Sequence, residues 1–88
     1  MDRESSDSNL LRALGQRIER IRLNRNITQQ RLAEEAGISH PTLVRMERGD
    51  SVQLTTLIRV LRALNLLENL DLLVPEPPPS PIEQAKLE

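Results

Sequence analysis

The chain has 88 residues, a formal net charge of −1, no cysteine and no aromatic residue. A chain of this length makes one domain burying only about 60 to 65% of its unfolded surface, too little for a deep catalytic cleft. The missing cysteines exclude disulfides and thiolate metal sites, and the missing Phe, Tyr and Trp argue against modules that stack single-stranded bases on aromatic rings.

The net charge hides an uneven distribution. Ten arginines face five acidic residues between Arg12 and Arg62, a net of +5, while the two ends together carry −6. A basic middle with acidic ends suits a polyanion bound through one face. No run approaches the roughly 18 to 20 apolar residues that span a bilayer, and the first residues lack the basic-then-apolar order of a secretory signal. A cytoplasmic protein with no membrane association is expected.

In chain order, residues 1–7 read as a flexible start. Leu11, Leu14, Ile18 and Ile21 repeat with the period of one helical face, which predicts a first helix from about Ser8 to Asn24. Gly15 inside it lowers helix propensity by about 1 kcal/mol and marks a close packing contact. Arg25-Asn26-Ile27 breaks the pattern. Thr28 then caps a second helix running to Ala36, which Gly37 ends. Ser39 caps a third, with Pro41 in its first turn and a stop at Gly49 after Arg48. Leu54, Leu57, Ile58, Leu61 and Leu64 mark a fourth helix, and Asn65 with Glu68 has the form of a capping box opening a short fifth helix through Leu73. Five helices on one core over residues 8–74 make an all-α domain. From Pro75 onward the run Pro-Glu-Pro-Pro-Pro-Ser-Pro favours an extended tail over residues 75–88, within which Ser80-Pro81-Ile82-Glu83 has the pattern of a helix start.

Residues 28–49 thus hold two short helices across a three-residue turn containing glycine, the arrangement of a helix-turn-helix. Ala33 is small where the helices cross, and Leu32, Leu43 and Met46 plug the core beneath. With its Thr-Gln opening, its Ala and Gly, and its Arg-x-Glu-Arg-Gly ending, the segment resembles the Cro and phage-repressor family, also called the XRE family. The resemblance runs from Leu14 to about Leu73 and implies a lambda-repressor-like DNA-binding fold.

It also implies roles. The third helix would enter the major groove of duplex DNA and present Ser39, His40, Pro41, Thr42 and Arg45 to base edges. Arg45 carries the strongest expectation, because arginine can donate two hydrogen bonds to guanine, worth about 1 to 3 kcal/mol of discrimination; a solvated arginine or a phosphate contact is the alternative. Thr28, Gln29 and Arg48 would contact phosphates, with Gln29 also bracing the recognition helix. Arg22 and Glu47 match positions that form an ion pair between the first and third helices in some relatives. His40 stands where relatives often carry glutamine. With no second ligand or nucleophile arranged around it, it reads as a polar contact and neither as a metal ligand nor as a catalytic base.

Relatives bind palindromic operators as symmetric dimers, with half-sites about 34 Å apart. Leu66, Leu67, Leu70, Leu72, Leu73 and Val74 exceed what one short helix can bury. Of these, Leu66, Leu70, Leu72, Leu73 and Val74 are the candidates for a homodimer surface, with intramolecular core the alternative for about half of the set. The expected function is sequence-specific repression of transcription without a cofactor. A short likeness of Leu-Leu-Val-Pro-Glu-Pro and Ser-Pro-Ile-Glu to HipB-like proteins adds the reading of an autoregulating antitoxin with a toxin partner. A stand-alone phage or plasmid regulator, or a helix-turn-helix used only to bind protein, are the alternatives. No motif spaces Ser, His and Asp for nucleophilic catalysis, so no enzymatic activity is expected.

Overall fold

Three helices open on a hydroxyl, and four close on a left-handed residue. The computed structural model describes residues 1–82. It contains α1 (Asp7–Asn24), α2 (Gln29–Ala36), α3 (His40–Arg48), α4 (Leu54–Ala63) and α5 (Asn69–Leu73), with no strand among the described residues. The side chains of Ser6, Thr28 and Ser39 accept hydrogen bonds from the amides of Asn9, Arg31 and Thr42. Each such cap stabilises its helix by about 1 kcal/mol. The first helix therefore begins slightly earlier than its apolar stripe indicates, because Ser6 and not a later serine satisfies its free amides.

The four closures share one geometry. Asn26, Gly37, Gly49 and Asn65 have φ of 56°, 72°, 99° and 59°. In each case the next residue folds back: Ile27 N donates to Arg22 O, Ile38 N to Ala33 O, Asp50 N to Arg45 O and Leu66 N to Leu61 O, at 2.7 to 3.2 Å. This Schellman arrangement satisfies carbonyls that the helix end would leave bare. It also corrects the expected capping box. Asn65 is the end of α4 and not the start of α5, and Glu68 precedes a five-residue helix with no side-chain cap. The Arg25 guanidinium adds a 2.6 Å hydrogen bond to Leu64 O, tying the end of α1 to the end of α4.

The core is Ile18, Leu32, Ala33, Ala36, Leu43, Met46, Val60 and Leu64, with Ile21, Ile27, Ile38, Val52, Leu57, Ala63 and Leu66 packed around it. Each helix from α1 to α3 contributes its buried stripe, α4 contributes Val60, and Leu64 closes it. Full burial of one such Leu or Val side chain is worth about 1.5 to 3 kcal/mol. Leu14 and Leu54 depart from their stripes, being 42% and 65% exposed. Both lie on the rim of an apolar groove between α1 and the start of α4, which Leu11, Ile18, Met46 and Leu57 also line.

Gly15 lets α1 and α3 approach. A Cβ there would lie 2.5 Å from Met46 O and 2.6 Å from Glu47 O, so the crossing exists only because the side chain is absent. A Cβ on Gly49 would meet the Arg12 backbone at 2.8 Å. The C-terminal half of α3 is thereby seated directly on α1. Residues 75–80 carry no helix, and Pro81 and Ile82 are helical. The rest of the anticipated tail helix, from Glu83, lies outside the described residues. No helix among the described residues is long and apolar enough to cross a membrane.

Candidate nucleic-acid interface

The turn between α2 and α3 is Gly37-Ile38-Ser39, with Ile38 against the core and Gly37 in the left-handed region. Beneath it, Leu32, Ala33 and Leu43 are buried. These plugs hold α3 so that its N-terminal half stands on the surface: Ser39, His40, Pro41 and Arg45 are exposed and Thr42 is half-buried.

Thr42 links the exposed groups. Its amide donates to Ser39 Oγ at 3.2 Å, its hydroxyl lies 2.7 Å from the same oxygen, and Arg45 Nη2 donates to Thr42 Oγ1 at 3.2 Å. Spacing at i, i+3 and i+6 puts Ser39, Thr42 and Arg45 along one edge of the helix. Arg45 keeps its remaining guanidinium donors on an exposed side chain, as a bidentate contact to guanine requires. It shares a polar cleft with Ser51, Gln53 and Thr56 from the loop and first turn of α4. Those three were missed by sequence reasoning, since nothing in the spacing of a serine, a glutamine and a threonine announces a common cleft with an arginine from another helix.

The phosphate-contact candidates flank this edge. Thr28 caps α2 and is exposed, and Gln29 in the first turn is half-buried. Free amides at helix starts attract phosphate oxygens. Arg48, at the end of α3, is exposed and paired with Asp50. Donating a hydrogen bond to Asp50 holds the Arg48 guanidinium above its ordinary pKa, so it stays cationic. Exposed pairs of this kind contribute little, so a phosphate can compete for the arginine.

Behind the surface lies a buried polar line. Arg22 and Glu47 have side chains only 8% and 2% exposed. Arg22 Nε donates to Glu47 Oε2 at 2.8 Å, Nη2 to Glu47 Oε1 at 3.1 Å and Nη1 to Ile27 O at 2.8 Å. Hydrogen bonding to Glu47 raises the pKa of Arg22, against burial, which lowers it. Gln29 Nε2 also donates to Glu47 Oε1, at 3.0 Å, and Gln29 Oε1 lies 3.4 Å from His40 Nε2. No buried side-chain nitrogen or oxygen among the described residues lacks a partner. No group of three His, Cys, Asp or Glu among them is placed to hold a metal ion.

The dimer candidates sit elsewhere. Leu66 packs on the core, Leu70 is half-buried, and Leu72, Leu73 and Val74 are 82%, 63% and 75% exposed. Leu66 thus leans inward, and the outward apolar surface is concentrated in the last three.

Two short helices joined by a glycine turn, the second with an exposed face of hydroxyls, imidazole and guanidinium, make a helix-turn-helix domain. The family model for helix-turn-helix domains of the HTH_3 type matches residues 18–68, more than half of the chain. The chain belongs to this XRE-type family and is a DNA-binding transcription regulator. No curated protein matches the sequence.

Proposed function

We propose that the protein is a sequence-specific transcriptional repressor that works in the cytoplasm as a homodimer on a palindromic operator. The observation that carries this reading is the exposed edge of α3, where Arg45 retains free donors while the opposite face of the same helix is buried. Ser39, His40, Pro41, Thr42 and Arg45 contact base edges, and Thr28, Gln29 and Arg48 contact phosphates. One short helix touches too few base pairs for secure selection, so a second copy is needed. Leu70, Leu72, Leu73 and Val74 supply its apolar seat, with Leu66 behind them in the core.

The test is fluorescence anisotropy with duplex DNA from upstream of the protein's own gene. Tight binding that weakens by orders of magnitude between about 50 and 200 mM salt is expected from phosphate contacts. Equal affinity for random duplex would remove sequence-specific repression of that gene. Sedimentation showing only monomers, with and without DNA, would remove the dimer.

The same outward apolar strip favours a second reading, in which the repressor is also an antitoxin that binds a toxin protein. Co-expression with the product of the neighbouring gene should then yield a stable complex. A chain that purifies alone from that co-expression refutes the antitoxin role and leaves the repressor intact.

A further inference from the structure

The His40 ring stands at the end of a line of polar contacts that starts in the core. The Glu47 carboxylate is clamped by Arg22, whose guanidinium has donors only, so Glu47 accepts on both oxygens. Gln29 faces the same carboxylate at 3.0 Å, and only the NH2 end of its amide can face an acceptor. That choice turns Gln29 Oε1 toward His40 Nε2, 3.4 Å away. A carbonyl oxygen accepts only, so the ring's hydrogen belongs on Nε2. In the neutral ring Nδ1 is then left as a bare acceptor on an exposed side chain of the reading face.

We infer that His40 reads DNA as a hydrogen-bond acceptor, selecting a base that presents an amino group in the major groove, with Gln29 as the residue that positions it. Adenine offers N6 and cytosine offers N4, whereas guanine and thymine present only acceptors there. A glutamine in place of His40 would offer a donor and an acceptor together and so pair with both N6 and N7 of adenine. The histidine, with its single donor turned inward, accepts adenine and cytosine alike. The resulting specificity is a two-base column. It rests on the DNA-reading role proposed above and assigns that role a base preference.

The experiment is selection of bound duplexes from a randomised DNA library in mildly alkaline buffer, followed by sequencing, for wild type, His40→Gln and Gln29→Ala. Wild type should show one position per half-site where adenine and cytosine exceed guanine and thymine by about five- to tenfold, the lower range for a specific base contact. His40→Gln should narrow that position to adenine. Gln29→Ala should flatten it while the guanine position expected from Arg45 stays sharp, a pattern that general loss of folding would not produce. A guanine or thymine preference at the His40 position, or an adenine-cytosine column untouched by Gln29→Ala, overturns the inference. Failure to enrich any duplex overturns the DNA-reading role itself.

A DNA-free measurement checks the relay directly. His40 is the single histidine, so 15N labelling of histidine rings reports on it alone. A protonated Nε2 with a bare Nδ1 is expected in the wild type, moving toward the averaged pattern of an unconstrained ring in Gln29→Ala. A proton on Nδ1 in the wild type overturns the inference independently of any DNA result.

Discussion

Replacing Gly15 by alanine sets two effects of opposite sign against each other. Alanine raises helix propensity over glycine by about 1 kcal/mol, which alone would stabilise α1. The added Cβ would stand 2.5 Å from Met46 O, 2.6 Å from Glu47 O and 2.9 Å from Glu47 C. Carbon to oxygen contacts settle at about 3.3 Å or more, so the helices must part by roughly 0.8 Å. All three neighbours are backbone, and no rotamer change relieves them. Overpacking of this kind ordinarily costs about 1 to 3 kcal/mol. Here it also draws Glu47 away from Arg22, so the clash outweighs the propensity gain. A net loss of about 1 to 2 kcal/mol is expected, which lowers Tm by about 4 to 16 °C in a domain of this size. Thermal unfolding followed by circular dichroism measures it. A variant as stable as the wild type, or more stable, refutes the close crossing of α1 and α3.

Arg22→Ala and Glu47→Ala should each destabilise by about 3 to 5 kcal/mol in urea titrations, because each strands a buried charge, whereas Arg22→Met combined with Glu47→Leu should come out near neutral. Singles as stable as the wild type, or a double variant no more stable than the singles, would contradict that account. Arg45→Ala should weaken operator binding by about 1 to 3 kcal/mol in anisotropy titrations and relax selectivity at one base pair, with unfolding unchanged. Asn65→Ala should cost about 1 kcal/mol in thermal unfolding, since alanine resists a φ of 59°, while Asn65→Gly should be close to neutral.

The helix-turn-helix was legible because its punctuation is chemically narrow. Thr28 and Ser39 cap, Gly37 and Gly49 close, and the apolar residues between them have one way to face inward. Asn65 was misread because asparagine serves two purposes: its side chain caps helix starts, and its backbone tolerates the left-handed region at helix ends. Local sequence does not separate the two uses; the 2.7 Å return of Leu66 N to Leu61 O does. Leu14 and Leu54 fit their periodic stripes yet stand partly in solvent, since periodicity gives a face and not how far the neighbouring helix extends over it. Among the candidate contacts, the exposure of Ser39, His40 and Arg45 follows from position on α3. The bond from Gln29 to Glu47 joins residues 18 apart, and its polarity, which orients the amide, exists only once α2 and α3 have packed.

The seating of α3 has a mechanical side. Besides the Leu43 plug in its middle, it is held at its C-terminal end, where Gly15 receives Met46 and Glu47 and where Gly49 abuts Arg12, and it carries the exposed candidate contacts at the other. Between His40 and the clamp lies about 10 Å of helix, so a tilt of only about 5° at the held end sweeps the imidazole through about 1 Å. That is enough to break a hydrogen bond to a base edge. The inner surface of α1, on the far side of α3 from the exposed imidazole, therefore shares in aiming it.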